Sequence, residues 1–330
     1  MSLKQFWKEA GLAVILGMVM PAVILHIVAV SSHQYAAKAP KIPISTEYAL
    51  DLIEIPVLKG DGEVEKLDLD TYLTGVILAE MPASFQVDAL MAQAVVARTY
   101  ALRCYDGKSK HDSAAVCTDS ACCQGYCSGE DYVRQGGKAA DVKKVSSAVR
   151  MTKNLVLTYQ DELIDATYFS CSGGSTEDAV AVWGTDIPYL RATDSPGEEG
   201  ASHYTDSVAY TSEELSERLE LEPIGELESW FGEVDYTSGG GVDEMEICGV
   251  TFRGTELRKR LDLRSTAFTV TVDGDSVTFH TRGFGPRVGM SLYGADAMAD
   301  SGSNFEEILY HYYRGTQLQQ YIIDNEEAVG

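Results

Sequence analysis

A chain of 330 residues with 45% hydrophobic content can bury a substantial core, which argues against wholesale disorder. Its 50 acidic residues against 26 basic ones give a formal charge of −24. That balance argues against nucleic acid as a ligand, because phosphate neutralisation needs clustered Lys and Arg. The acidity is spread over Glu54–Asp70, Glu198–Glu246 and Asp324–Glu327 and reads as a solvated surface.

Ala10 to Val30 carries no charge and follows Lys4 and Lys8. It has the roughly 20 residues that a helix needs to cross a ~30 Å hydrocarbon core. A cleaved signal peptide is the competing reading, but its apolar region runs only about 7–15 residues. No small-x-small cleavage site follows Val30. The expected organisation is a single-pass membrane anchor at 1–31, a polar linker at 32–46 with Pro40 and Pro43, a body at 47–320 and an acidic tail at 321–330. The body is expected on the extracytoplasmic side of the cell membrane.

Within the body, Ile53–Val57 and Val64–Leu67 flank Lys59-Gly60-Asp61-Gly62 and predict a β-hairpin. A helix starting at Asp70 or Thr71 runs to Glu80 and stops before Pro82. A second spans about Val87 to Tyr105, with a stripe of Leu90, Ala94, Ala97 and Ala101. Residues 107–137 read as irregular, and helix resumes at Ala139–Val149. Leu155–Tyr159 and Leu163–Phe169 predict another hairpin, and Ser212–Leu219 a short helix. Phe268–Val272 and Val277–Thr281 surround Asp273-Gly274, a strong hairpin signal. Asn304 with Glu307 caps a last helix over Phe305–Tyr313, and Gly315 stops it. The fold class is α+β, helices mixed with β-hairpins.

Two features carry chemistry on their own residues. Glu80 lies in an apolar helix end, where a carboxyl group has a raised pKa and suits a general acid. Seven cysteines follow the apolar segment, five of them within Cys104–Cys127, and the spacing His111-x5-Cys117-x4-Cys122-Cys123-x3-Cys127 offers soft ligands for a tetrahedral metal. Disulfides and unliganded thiols are the other readings of an exported loop of this kind. No H-E-x-x-H, P-loop or G-x-S-x-G occurs.

The block from Leu73 to Leu102, with Glu80, the Met81-Pro82 break and Arg98, resembles the signature of the stage II sporulation protein D family, which are peptidoglycan lytic transglycosylases. Three further blocks extend the resemblance in the same order. They are Tyr168-Phe169-Ser170-Cys171-Ser172-Gly173-Gly174-Ser175-Thr176-Glu177 with Val182-Trp183-Gly184, then Leu257-Arg258 with Leu263-Arg264-Ser265-Thr266, then Gly283-Phe284-Gly285-Pro286-Arg287-Val288-Gly289 through Ala295. Two positions depart from the family pattern, Pro286 in place of His and Leu292 in place of Gln.

The resemblance implies that helices and hairpins form a glycan-binding groove with Glu80 as catalytic acid. Hydrolytic glycosidases use two carboxyl groups. A lytic transglycosylase uses one, with the 6-hydroxyl of N-acetylmuramic acid as nucleophile. Arg98, Tyr168, Ser170, Ser172, Gly173, Gly174, Ser175 and Tyr293 are the expected substrate-binding residues, with Trp183 as a further aromatic that could line the groove. Structural duties compete for these positions: an ion pair for Arg98, tight turns for the glycines and core packing for the aromatics. Some family members carry a similar His/Cys zinc loop, which implies one structural Zn²⁺ on His111, Cys117, Cys123 and Cys122, with Cys127 as the alternative fourth ligand. The implied setting is septal wall remodelling and engulfment during sporulation, with an amidase that strips stem peptides and a polytopic membrane protein as partners. The net charge suggests recognition by hydrogen bonds and shape rather than attraction to a polyanion. The rival readings are a non-catalytic wall-binding scaffold or amidase enhancer, and a zinc-dependent wall hydrolase.

Overall fold

Residues 53–223 and 225–321 are described by the computed structural model. They belong to one compact unit, 48–330. The expected anchor at 1–31, the linker and all but the first residue of the tail lie outside the described residues. Among the described residues no helix is long and apolar enough to cross a membrane.

The first hairpin forms as the alternation predicts. Strand β1 (Glu54–Leu58) buries Ile55 and Val57 and pairs antiparallel with β2 (Val64–Asp68), Glu54 opposite Asp68 and Leu58 opposite Val64. Asp68 then caps helix α1 (Leu69–Glu80) by accepting from the backbone N–H groups of Asp70 and Thr71. A carboxylate at the N-cap satisfies two donors the helix leaves orphaned, so the helix begins slightly before the expected Asp70. Met81 is extended and ends it before Pro82.

Helix α2 (Val87–Arg103) buries every residue from Ala89 to Leu102. Its apolar surface is therefore wider than the single stripe expected, and it is packed on all sides as the central rod of the larger core. A wide turn at Cys104–Lys108, with Gly107 at φ 94, leads into the region expected to be irregular. That region holds two short elements, β3 (Val116–Cys117), parallel to β1, and α3 (Gly129–Arg134), capped by Ser128. Helix α4 (Ala139–Met151) packs on α1 and α2. Strands β4 (Leu155–Tyr159) and β5 (Glu162–Leu163) form a hairpin turning through Gln160 and Asp161, both at positive φ. The expected second arm to Phe169 is cut short there. β6 (Tyr168–Phe169) pairs instead with a distant strand, as given below.

After α5 (Ala179–Trp183) the chain builds a second core. Its elements are β7 (Thr205–Thr211), α6 (Ser212–Leu219), β8 (Phe231–Tyr236), β9 (Val242–Ile247), β10 (Val250–Arg253), α7 (Gly254–Arg260), β11 (Phe268–Asp273) and β12 (Ser276–Arg282). The sheets β10-β9-β8 and β11-β12-β7 enclose Trp230, Ile247, Leu257, Phe268 and Phe279. The chain then returns to the first core through β13 (Met290–Ser291), α8 (Leu292–Asp300), α9 (Phe305–Tyr312) and β14 (Gln317–Gln320). β13 runs parallel to β6, Met290 opposite Tyr168, and β14 runs antiparallel to β4. The second core is thus an insertion whose two ends meet at the β6–β13 seam. That seam joins two of the glycine-rich blocks, which lie far apart in sequence.

Candidate active site and metal centre

Glu80, Tyr100, Tyr168, Ser170, Trp183 and Phe284 line one groove of about 590 Å³, which Cys122, Cys123 and Pro286 also wall. Arg103, Lys108 and Lys110 stand on the same groove, so local positive charge faces it despite the acidic whole. A larger cavity of about 940 Å³ lies on the second core, among Glu213, Glu217, Glu226 and Glu228, and none of the four sequence blocks reaches it.

Glu80 is the last residue of α1 and is half-buried. Burial raises its pKa, and a hydrogen bond from the Gly125 N–H to Oε1 works more weakly the other way. The net effect holds the proton to higher pH than an ordinary carboxyl group does. Beside it, the Tyr72 hydroxyl donates to Gln124 Oε1 at 3.1 Å, and Gln124 Nε2 donates to the Tyr168 hydroxyl at 3.4 Å. Gln124 is fully buried, and burial pushes both tyrosines well above the ordinary phenol range. The network is therefore neutral and fixes Tyr168 on the groove wall. Gln124 and Tyr72 had no motif to mark them in the sequence.

Several expected ligand residues lie elsewhere. Ser172 and Gly173 face inward onto the buried carboxylate of Glu198. Glu198 Oε2 accepts from the Ser172 N–H at 2.7 Å, Ser172 Oγ at 2.9 Å, the Gly173 N–H at 3.0 Å and Cys171 Sγ at 3.2 Å, while Oε1 accepts from Ser195 Oγ at 2.6 Å. Gly173 has φ 75, and a Cβ there would lie 2.7 Å from the Arg282 backbone, so the residue is glycine for packing. Gly174 donates to Ser172 Oγ, and Ser175 Oγ donates to the carbonyls of Thr176 and Thr193. Tyr293 packs edge-on against Phe85, ring centroids 4.9 Å apart. None of these five lines the groove: the loop's polar groups are taken by Glu198, by Thr193 and by one another, and Tyr293 is packed against Phe85.

Arg98 is likewise not a groove residue. It is 1% exposed and donates to the carbonyls of Thr152 at 2.8 Å, Leu155 at 3.3 Å and Val149 at 3.0 Å. The guanidinium thus satisfies carbonyls at the end of α4 and at the first residue of β4, and burial lowers its pKa to about 10. A second buried node joins the blocks at the seam. Arg287 pairs with Glu177 at 3.1 Å and donates to the carbonyls of Ser172, Ser175 and Gly239. Of the two departures from the family pattern, Leu292 is buried in the core, whereas Pro286 lines the groove.

The ligand atoms of His111, Cys117, Cys122 and Cys123 all lie within 4.8 Å of one another. His111 Nε2 is 3.7 Å from Cys122 Sγ and 3.4 Å from Cys123 Sγ, and the two sulfurs are 3.9 Å apart. Zinc–sulfur and zinc–nitrogen bonds of about 2.3 and 2.0–2.1 Å give tetrahedral edges of roughly 3.5–3.8 Å, close to the spacing of these three donors, with Cys117 within 4.8 Å of them. Among the described residues no two cysteines are joined in a disulfide. Cys127 stands apart: its Sγ contacts the Ser128 carbonyl, and its N–H is bound to the Gly75 carbonyl. The cluster could hold a metal ion, and its sulfurs form part of the groove wall.

The family model of stage II sporulation proteins matches residues 59–159. The chain is 36% identical over 274 residues to stage II sporulation protein D of Bacillus subtilis (strain 168), covering 81% of this chain and 79% of that protein. The protein of the same name from Bacillus amyloliquefaciens is 33% identical over the same shares. The amidase enhancer of Bacillus subtilis (strain 168) is 28% identical over 306 residues, 76% of this chain and 40% of that protein. A relative this similar over four-fifths of the chain, together with the matched family model, places the protein in the stage II sporulation protein D family.

Proposed function

We propose that the protein is a peptidoglycan lytic transglycosylase acting in septal wall remodelling and engulfment. Its substrate is the N-acetylmuramic acid–N-acetylglucosamine bond of glycan strands freed of stem peptides. It is held at the cell membrane by its N-terminal segment, with the body on the extracytoplasmic side, and works with an amidase and a polytopic membrane protein. The observation that carries this reading is Glu80, a half-buried carboxyl group with a raised pKa on the wall of the groove. The other carboxylate on that groove, Asp165, is paired with Arg103 at 3.8 Å. One acid whose burial favours its protonated form, without a second free carboxylate, suits a reaction whose nucleophile belongs to the substrate.

Glu80 gives its proton to the glycosidic oxygen as the bond from that oxygen to C1 of N-acetylmuramic acid breaks. The 6-hydroxyl of the same sugar bonds to C1, and its proton returns to Glu80. The products are a 1,6-anhydro end and a free hydroxyl, and no water is consumed. Strands stripped of peptide expose a lactyl carboxylate, which the positive charge of Lys108 and Lys110 on the groove favours. Zn²⁺ on His111, Cys117, Cys122 and Cys123 would be structural, since four protein ligands leave no position open for water.

A second reading, a non-catalytic scaffold or enhancer of an amidase, draws on the similarity to the amidase enhancer. Incubation with peptide-free glycan strands, followed by mass spectrometry of the ends, separates the two. Anhydromuramyl ends that disappear in Glu80→Gln support the enzyme, and intact strands overturn it.

A further inference from the structure

Two large hydrophobic side chains that stay exposed share one groove. Trp183 is 42% exposed and Phe284 is 40% exposed, and both line the groove that holds Glu80. They arrive from opposite sides of the insertion. Trp183 is the last residue of α5, and Gly184 at φ 73 caps that helix through a bond to the Val180 carbonyl. Phe284 is held by backbone bonds in both directions with Cys171. Its ring meets His203 edge-on at 5.3 Å, and the Arg264 guanidinium lies 5.7 Å from its centroid. The backbone and one flank of Phe284 are thus fixed while two-fifths of the residue stays in water.

We propose that Trp183 and Phe284 form an aromatic subsite on which a pyranose ring of the glycan stacks by its apolar C–H face. This rests on the proposed function only in taking the ligand to be a β-1,4-linked N-acetylhexosamine strand. A pyranose presents axial hydrogens on one face and hydroxyls on its rim. Stacking therefore removes apolar surface from water on both partners while leaving the hydroxyls solvated. A ring that the fold already holds loses little freedom on binding, which favours it over a mobile aliphatic chain. The subsite secures the strand so that the neighbouring linkage meets Glu80.

The test uses full-length protein in detergent carrying Glu80→Gln, titrated with an oligomer of six β-1,4-linked N-acetylglucosamine units. Of the three tryptophans, Trp230 is 3% exposed and Trp7 lies outside the described residues. A blue shift of tryptophan emission on binding is expected, and its loss in Trp183→Phe, with binding retained by calorimetry, assigns it to Trp183. Trp183→Ala and Phe284→Ala are each expected to weaken binding about 3- to 10-fold, the worth of an aromatic contact. Their melting temperatures should hold, because both rings are largely outside the core. Unchanged affinity in both alanine variants, or saturation without a change in Trp183 emission, overturns the subsite. Oligomer bound through Trp183 by a wild-type protein that forms no anhydro ends supports the subsite and overturns the lytic reading instead.

Discussion

The backbone N–H of Gly125 donates to Glu80 Oε1, joining the carboxyl group at the end of α1 to the segment that carries Cys122 and Cys123. The position of the acid therefore depends on the path of the His/Cys loop. A Cβ added at Gly125 would lie 2.8 Å from Glu80 Oε1 and 3.3 Å from its Cδ. Gly125→Ala should push the carboxyl group off its present position, and misplacement of a catalytic group by about 1 Å costs on the order of 10²-fold. The side chain can move, so the melting temperature should change little. A full rate of anhydro-end formation in Gly125→Ala would show that catalysis does not depend on the exact place the Gly125 segment gives the Glu80 carboxyl group.

Glu80→Gln keeps size and hydrogen bonding but cannot transfer a proton, so strand cleavage should fall by roughly 10²–10⁴-fold while glycan binding persists. The wild-type rate should fall as pH rises through the raised pKa of Glu80, because only the protonated form donates. Tyr72 and Tyr168 beside it stay neutral throughout that range. Folding stability has the same sign. Between the ordinary carboxyl range and the raised value the folded protein binds the proton and the unfolded chain does not, so stability is lost as pH rises. A Glu80→Gln protein whose stability has the same pH slope as wild type would show that Glu80 does not titrate in this window.

Metal removal should act on the fold before it acts on chemistry. Protein purified without chelator is expected to carry about one zinc per chain, and Cys117→Ser should lower both metal content and melting temperature. Because Gly125 follows Cys123 by two residues, loss of the ion should also slow strand cleavage. Elemental analysis finding no metal, with Cys117 and Cys123 joined in disulfides by peptide mapping, would remove the site.

Arg287→Met leaves Glu177 fully buried and without its cation, and should destabilise the protein by about 3–5 kcal/mol. The double variant with Glu177→Gln should recover part of that loss, since a neutral amide is cheaper to bury. Denaturant unfolding of the two variants measures the difference. Equal stability of the single and double variants would mean that the stranded Glu177 carboxylate is not the source of the loss.

Local signals in the chain were enough for the elements that frame the site. Pro82 ends α1 at Glu80, Asp273 and Gly274 turn β11 into β12, and the spacing of α2 marks its helix, because each depends on residues within a turn or two of one another. The His/Cys spacing likewise marked the cluster, but it could not choose between Cys122 and Cys127. In the structure Cys122 joins the cluster that could hold a metal, while the Cys127 N–H is bound to the Gly75 carbonyl, a contact with a helix more than fifty residues earlier in the chain.

The same limit governed the glycine-rich blocks. Ser172 and Gly173 have the composition of a ligand loop, yet Glu198, 26 residues beyond Ser172, turns them inward. Arg98 has the composition of a site cation, yet the end of α4 and the start of β4 take the donors that the structure pairs. Composition and spacing determined which residues could do chemistry. Only the tertiary structure decided which of them face solvent in the groove, because a buried carboxylate or helix end claims whatever hydrogen-bonding group the fold brings to it.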